Sequence, residues 1–179
     1  VIQMAKREAM QARSLWFDTK NEELLERALH GGYTGVLLYP ENVERLLPRI
    51  GKRVLKLLVL APSDAIPATS STSDFIFASR DAYALDSLRA KGYPTCLQAH
   101  VIDRKSLEDA IALGRQHDYL LMSFQDPTNI PLELVIASLQ NTQTILIKKI
   151  ADTDVEDAVV SLGVMEVGAD GICFSPRNH

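Results

Sequence analysis

"GGYTGVLLYP" (residues 31–40) and "VGADGICFSP" (residues 167–176) stand near opposite ends of a chain of 179 residues. Each passage runs from glycine through two residues to a second glycine, then into a short apolar run that ends in a polar residue and proline. A glycine closing a helix and an apolar run starting a strand are the two halves of a βα turn. One chain using the same turn twice reads as repetition of a single alternating architecture.

Working outward, strands and helices alternate along the whole sequence. Ile2, Ala5, Ala9 and Ala12 recur at helical spacing and predict a leading helix over residues 1–13. "SLWFD" (14–18) is the first strand, and Asn21 caps a helix that ends at Gly31-Gly32. "TGVLLY" is the second strand, followed by a helix from Glu41 that Pro48 bends or closes. "VLKLLVL" (54–60), "DFIFAS" (74–79), "TCLQAHV" (95–101), "DYLLMSF" (118–124), "TILIKKI" (144–150) and "GICFS" (171–175) supply six more strands. Helices are predicted over 82–91, from Asp103 through Gln116, over 132–140 and over 155–167. Residues 61–73 read as an exposed loop, and eight strands alternating with helices, joined by short right-handed crossovers, predict a closed (β/α)8 barrel, a single domain over residues 1–179. It is lean beside the ~250 residues usual for that fold. An open doubly wound parallel sheet is the alternative.

Composition narrows the function classes. With 46% apolar and 23% charged residues the chain has the balance of an ordinary globular domain. A net charge of −4 and no basic run beyond Lys52-Arg53 and Lys148-Lys149 argue against nucleic acid as a partner. No apolar run approaches the ~20 residues of a membrane span. Cys96 and Cys173 fall inside predicted strands and form no CxxC pair, which suits buried thiols in a reducing compartment, the cytoplasm or a plastid.

In a barrel of this kind, side chains at the carboxyl ends of strands surround the site. Asp18, Tyr39, Ser79 with Arg80, His100, Ser123, Lys148 or Lys149, and Ser175 occupy those places. Alternation puts Cys96, Gln98 and His100 on one face of the fifth strand, so His100 is expected to look inward as an acid or base. In the seventh strand Ile145 and Ile147 are expected on the helix side and Lys148 inward, as an imine-forming or anion-holding cation. Asp18 is placed to orient a ligand or a divalent metal, or to begin the turn at Thr19. His30 and His117 lie near helix ends, where a charged imidazole complements the dipole. No local motif identifies a cofactor.

The segments "DYLLMSFQDPTNIPLELVIASLQNTQTILIKKI" and "DVEDAVVSLGVMEVGADGICFSP", together with "LWFDTKNEELLERALHGGYTGVLLYPENVERL", resemble the 3-dehydroquinate synthase II family. The resemblance runs from about Ser14 to Ser175. It implies NAD as cofactor and the oxidative deamination and cyclisation of an amino-dideoxy-heptulosonate, a sugar-acid substrate, on a route to aromatic amino acids. Asp126, Ile130, Pro131 and Glu133 match the family's motif, as do Gly168, Asp170 and Gly171. Pro127 and Leu134 stand where the family carries Trp and Asn. Members also continue into a strand-rich second half, so a partner chain or a further domain is implied. Two rivals remain, a non-catalytic subunit of a larger assembly and a stand-alone barrel lyase or aldolase.

Overall fold

The computed structural model describes residues 14–65, 74–125, 132–139, 141–151 and 170–176. The strands are β1 (Ser14–Asp18), β2 (Gly35–Leu38), β3 (Leu55–Val59), β4 (Phe75–Ser79), β5 (Thr95–Val101), β6 (Tyr119–Phe124), β7 (Ile145–Ala151) and β8 (Gly171–Ser175). They form a closed ring in sequence order, every neighbouring pair parallel. The ring closes where Ser14 pairs with Gly171 and Trp16 with Cys173, which excludes the open sheet. Outside it lie α1 (Glu22–His30), α2 (Val43–Leu46) with a 3-10 turn over Leu47–Arg49, α3 (Ala82–Ala90), α4 (Arg104–Gly114) and α5 (Leu132–Leu139). The helices expected over 1–13 and 155–167 lie outside the described residues. No helix among the described residues is long and apolar enough to cross a membrane.

Side-chain caps start α1, α3 and α4. Asn21 Oδ1 accepts from the amides of Glu23 and Leu24, and Asp81 Oδ1 from those of Tyr83 and Ala84. Asp103 and Ser106 form a reciprocal capping box on α4. The chain leaves α1 and α3 through Gly32 (φ 83°) and Gly92 (φ 89°), a region where a side chain would be strained. Pro48 tightens the end of α2 into the 3-10 turn.

At the amino-terminal rim one device recurs. Thr34 Oγ1 accepts from the Leu15 amide, Asp118 Oδ2 from that of Thr95, and Asp170 Oδ2 from that of Leu146. In each case the residue just before an even-numbered strand satisfies an early amide of the strand preceding it. Thr34 and Asp170 hold the same place in the two passages quoted at the outset.

The strands separate two apolar layers. Leu38, Leu58, Phe77, Leu97, Leu120 and Ile172 face the helices. Trp16, Leu37, Leu57, Leu121, Ile147 and Cys173 fill the ring. A fully buried side chain of this size contributes about 1.5–3 kcal/mol relative to exposure, so both layers are needed for stability. Trp16 and Tyr119 pack tilted at 5.2 Å between ring centroids.

The facing expected for β7 is reversed. Ile145 and Ile147 belong to the interior layer, while Leu146 and Ile150 belong to the helix side, and Lys148 shares their face. Lys149 therefore has the interior parity. Period-two spacing establishes which residues share a face but not which face is inside, and β7 is apolar on both. His117 also departs from expectation. It is buried (4% exposed), with Nδ1 2.8 Å from Thr95 Oγ1 and its carbonyl accepting from Thr144 Oγ1. Burial pulls its pKa below the usual 6.5, assisted by Arg89 and opposed by Asp86 and Asp118.

Two outcomes follow from this packing. A Cβ at Gly35 would lie 2.6 Å from Trp16 Cδ1, whereas one at Gly51 meets nothing within 4 Å. Gly35→Ala is expected to destabilise the fold by about 1–3 kcal/mol, and Gly51→Ala to stay within about 0.5 kcal/mol, both read from urea midpoints. The folded state disfavours protonated His117, so the stability it contributes is present above pH 6.5 and is lost as pH falls. The urea midpoint should drop between about pH 7.5 and about pH 5.5, and this slope should flatten in His117→Gln.

Candidate functional site

At the carboxyl ends of the strands the interior layer turns polar. Asp18, two residues beyond Trp16 on β1, is 5% exposed and lies at the centre of a four-residue cluster. Its Oδ1 accepts a 2.6 Å hydrogen bond from the Tyr39 hydroxyl just past β2. Its Oδ2 is 2.9 Å from Lys149 Nζ on β7 and accepts from Ser175 Oγ on β8 at 3.5 Å. Four consecutive strands of the closed ring thus contribute one side chain each. Closure is what creates the cluster, since β1 and β8 are the two ends of the sheet.

The neighbourhood fixes these groups. Thr19 Oγ1 accepts from the Asn21 amide and starts the turn into α1, which leaves the Asp18 carboxylate for the strands. Asn42 Oδ1 accepts from the Tyr39 amide and holds the loop after β2. Lys20 Nζ sits 4.7 Å from the centre of the Tyr39 ring and pairs with Glu41 at 2.8 Å. Burial, and then the charge of Asp18, push the Tyr39 phenol far above its ordinary value. Tyr39 is therefore a proton donor that keeps its proton.

Beneath this cluster the floor is dry. Cys173 is the registered partner of Lys149 and is fully buried. Burial and the nearby Asp18 carboxylate push its thiol up, against the opposing pull of Lys149. Cys96 is likewise buried and shifted upward by burial, so both thiols are held in the protonated form that disfavours nucleophilic attack.

A second pair stands further round the rim. His100 of β5 is registered against Ser123 of β6, with Nδ1 2.8 Å from Ser123 Oγ. His100 shares the strand face of Cys96 and is solvent-exposed. Ser123 and Lys149 directly follow the registered pair Met122 and Lys148, so the rim runs from His100 through Ser123 to Lys149 and Asp18.

Of the residues expected from sequence, Asp18 and Ser175 meet directly, and His100 lies on the same rim. Lys148 does not join them; it is 8% exposed on the helix side of β7 and engaged there. Lys149 and Tyr39, which stood among the strand-end candidates without an assigned role, take the central places. Ser79 is buried on the helix side, where its Oγ accepts from the Asp81 amide. Asp126 lies outside the described residues, and Glu133 belongs to α5 with its side chain outside them.

Among the described residues no group of three His, Cys, Asp or Glu side chains converges on a metal position. Asp18 is committed to Tyr39, Lys149 and Ser175, which does not suit a cation ligand. Among the described residues, the starts of α1, α3 and α4 do not form a dinucleotide cradle either. A pyrophosphate needs free amides at a helix start, and those of α1, α3 and α4 are occupied by Asn21, Asp81 and Asp103, two of them anionic.

With this geometry in hand, comparison with known proteins places the chain. The sequence profile of the 3-dehydroquinate synthase II N-terminal domain matches residues 12–179. The chain belongs to the 3-dehydroquinate synthase II family. It is 29% identical over 175 residues to the 3-dehydroquinate synthase of Methanocella arvoryzae, covering 91% of this chain and 46% of that one. It is 39% identical over 77 residues to the 3-amino-4-hydroxybenzoic acid synthase of Streptomyces griseus, covering 43% of this chain and 19% of that one. The chain thus spans about half the length of the first of these relatives. Among solved structures, phosphoribosyl anthranilate isomerase of Thermotoga maritima has a TM-score of 0.63 at 13% identity, covering 91% of this chain and 87% of that one. The 3-dehydroquinate dehydratase of Geobacillus kaustophilus has a TM-score of 0.59 at 11% identity, covering 93% and 83%. At such identities these two share the fold of this 3-dehydroquinate synthase II family member and nothing more.

The Asp18 cluster gives a spectroscopic expectation. Tyr39→Phe should remove the phenol that ionises last in an ultraviolet alkaline titration, leaving the earlier transitions in place. Loss of an early transition instead would show that Tyr39 is not held by Asp18.

Proposed function

We propose that this chain supplies the barrel half of a 3-dehydroquinate synthase II type catalyst, which binds an oxo sugar acid at the carboxyl ends of its strands. The observation that carries this reading is the convergence of Asp18, Tyr39, Lys149 and Ser175 from four adjacent strands onto one buried carboxylate. A family member needs groups that hold a carbonyl or carboxylate and move protons as a ring closes. Lys149 offers the cation, Tyr39 a fixed hydroxyl donor, and Asp18 orders both. His100, with Ser123 on its Nδ1, is the group that exchanges protons with solvent.

The finer reading is the reaction of the family, NAD-dependent oxidative deamination and cyclisation of an amino-dideoxy-heptulosonate to 3-dehydroquinate. NAD would supply the hydride acceptor. The described residues do not fit its pyrophosphate, so none of their roles is routed through it. The relatives are about twice as long as this chain, which favours a site completed by a second polypeptide segment.

The test is product formation from the amino-dideoxy-heptulosonate with NAD, followed by chromatography and by absorbance of the reduced nicotinamide. It is run with this chain alone and with a polypeptide corresponding to the remaining half of the Methanocella relative. Ring-closed product is expected, with kcat/KM lowered about 100-fold or more in Asp18→Asn. No product in either arm would favour a non-catalytic subunit and remove this reading.

A further inference from the structure

Lys149 sits in an environment that ion pairing alone does not require. Its ammonium lies 2.9 Å from Asp18 Oδ2, yet its side chain remains 27% exposed at the mouth while that of Asp18 is only 6% exposed. The other carboxylate oxygen is fixed by Tyr39 at 2.6 Å, and Ser175 Oγ stands 3.5 Å from Oδ2. An amine that is partly exposed, next to a carboxylate that is ordered and shielded, has a proton acceptor on one side and solvent access on the other. That is the arrangement needed by an amine nucleophile.

We propose that Lys149 is a covalent catalyst that forms an imine with the ketone or aldehyde carbon of the substrate. This rests on the reading of the barrel mouth as a carbonyl-binding site. Asp18 takes a proton from the Lys149 ammonium across the 2.9 Å contact, and the freed Nζ attacks the carbonyl carbon. The C–N bond forms as the C=O π bond breaks. Asp18 then relays protons from nitrogen to the carbinolamine oxygen, which departs as water. Lysine ammonium and carbonyl thus give protonated imine and water, with no oxidant or reductant consumed. Charge is conserved at nitrogen, so the Asp18 carboxylate faces a cation before and after, and the interaction that holds the resting lysine also holds the iminium. Tyr39 keeps its proton throughout and positions the carboxylate through Oδ1.

The interior parity of Lys149 makes the assignment specific. Lys148 is its sequence neighbour but lies on the helix side, so the two adjacent lysines are distinguished by strand alternation.

Borohydride reduction of the full chain in the presence of pyruvate, and separately of dihydroxyacetone phosphate, tests this by intact mass and by fragmentation of the peptide carrying both lysines. The expected result is a reduced adduct on Lys149 with at least one probe. None should form in Lys149→Met or in Lys149→Arg, which keeps the ion pair and serves as the folded control. Labelling should be about 100-fold slower in Asp18→Asn, the loss of one general base. Absence of label on Lys149 with both probes overturns the proposal, as does label spread over exposed lysines at a rate unchanged in Lys149→Met. Ring-closing turnover that survives in Lys149→Arg also overturns it and leaves lysine as a cation only. Label on Lys149 without ring closure would keep the imine and remove the family reaction, so the two readings fail separately.

Discussion

The close approach around β1 is the constraint on which the rest of this molecule depends. Gly35 is registered against Trp16 and Gly171 against Ser14, so each flank of β1 meets a glycine. A Cβ at Gly35 would come within 2.6 Å of the indole, and one at Gly171 within 2.5 Å of the Ser14 carbonyl oxygen and 2.7 Å of Ile147 Cδ1. Neither position tolerates even a methyl group without displacing backbone or a packed ring. The repeated glycines of the two quoted passages are therefore the clearance that lets the first strand seat between the second and the eighth and close the ring.

From closure the site follows. Trp16 occupies the interior because Gly35 leaves it room, and the period of two then brings Asp18 to the same face at the strand's carboxyl end. Lys149 and Ser175 reach that carboxylate from β7 and β8, and Tyr39 from just past β2. In an open sheet with β1 and β8 at separate edges, Asp18 would lose its contacts with both. Burial above an apolar floor strengthens what remains, because a carboxylate with little access to water interacts more strongly with a neighbouring cation. The same burial makes a carboxylate without its donors costly, so the cluster is expected to form as a unit.

The two ends of the barrel divide their work. At the amino-terminal rim, Thr34, Asp118 and Asp170 use side-chain oxygens to satisfy backbone amides, and buried His117 pairs with Thr95 while its carbonyl accepts from Thr144. At the carboxyl rim, Asp18, Tyr39, Lys149 and Ser175 bond to one another, as His100 does to Ser123, and Lys149 and His100 retain exposure. In folds of this kind the amino-terminal rim serves stability and the carboxyl rim carries the site, and the polar groups here are distributed in keeping with that division.

Much of the fold was legible in the sequence because it rests on short-range rules. Alternating strand and helix signals, the caps at Asn21 and Asp103, and the glycines after α1 and α3 each act within a few residues, and together they specify eight strands alternating with helices. The family, too, could be read from contiguous motifs. The sequence also determined that Asp18 and Ser175 would stand at strand ends. Only the tertiary structure decided which lysine serves them. Both faces of β7 are apolar, so alternation separates Lys148 from Lys149 without saying which is inside; the expectation of Lys148 inward fails because the register with β8 sets Lys149 beside Cys173 inside the ring. Tyr39 was similarly one polar residue among many until closure brought β2 within reach of the Asp18 carboxylate, because a contact between residues 21 apart on different strands is a property of the ring and of no local segment.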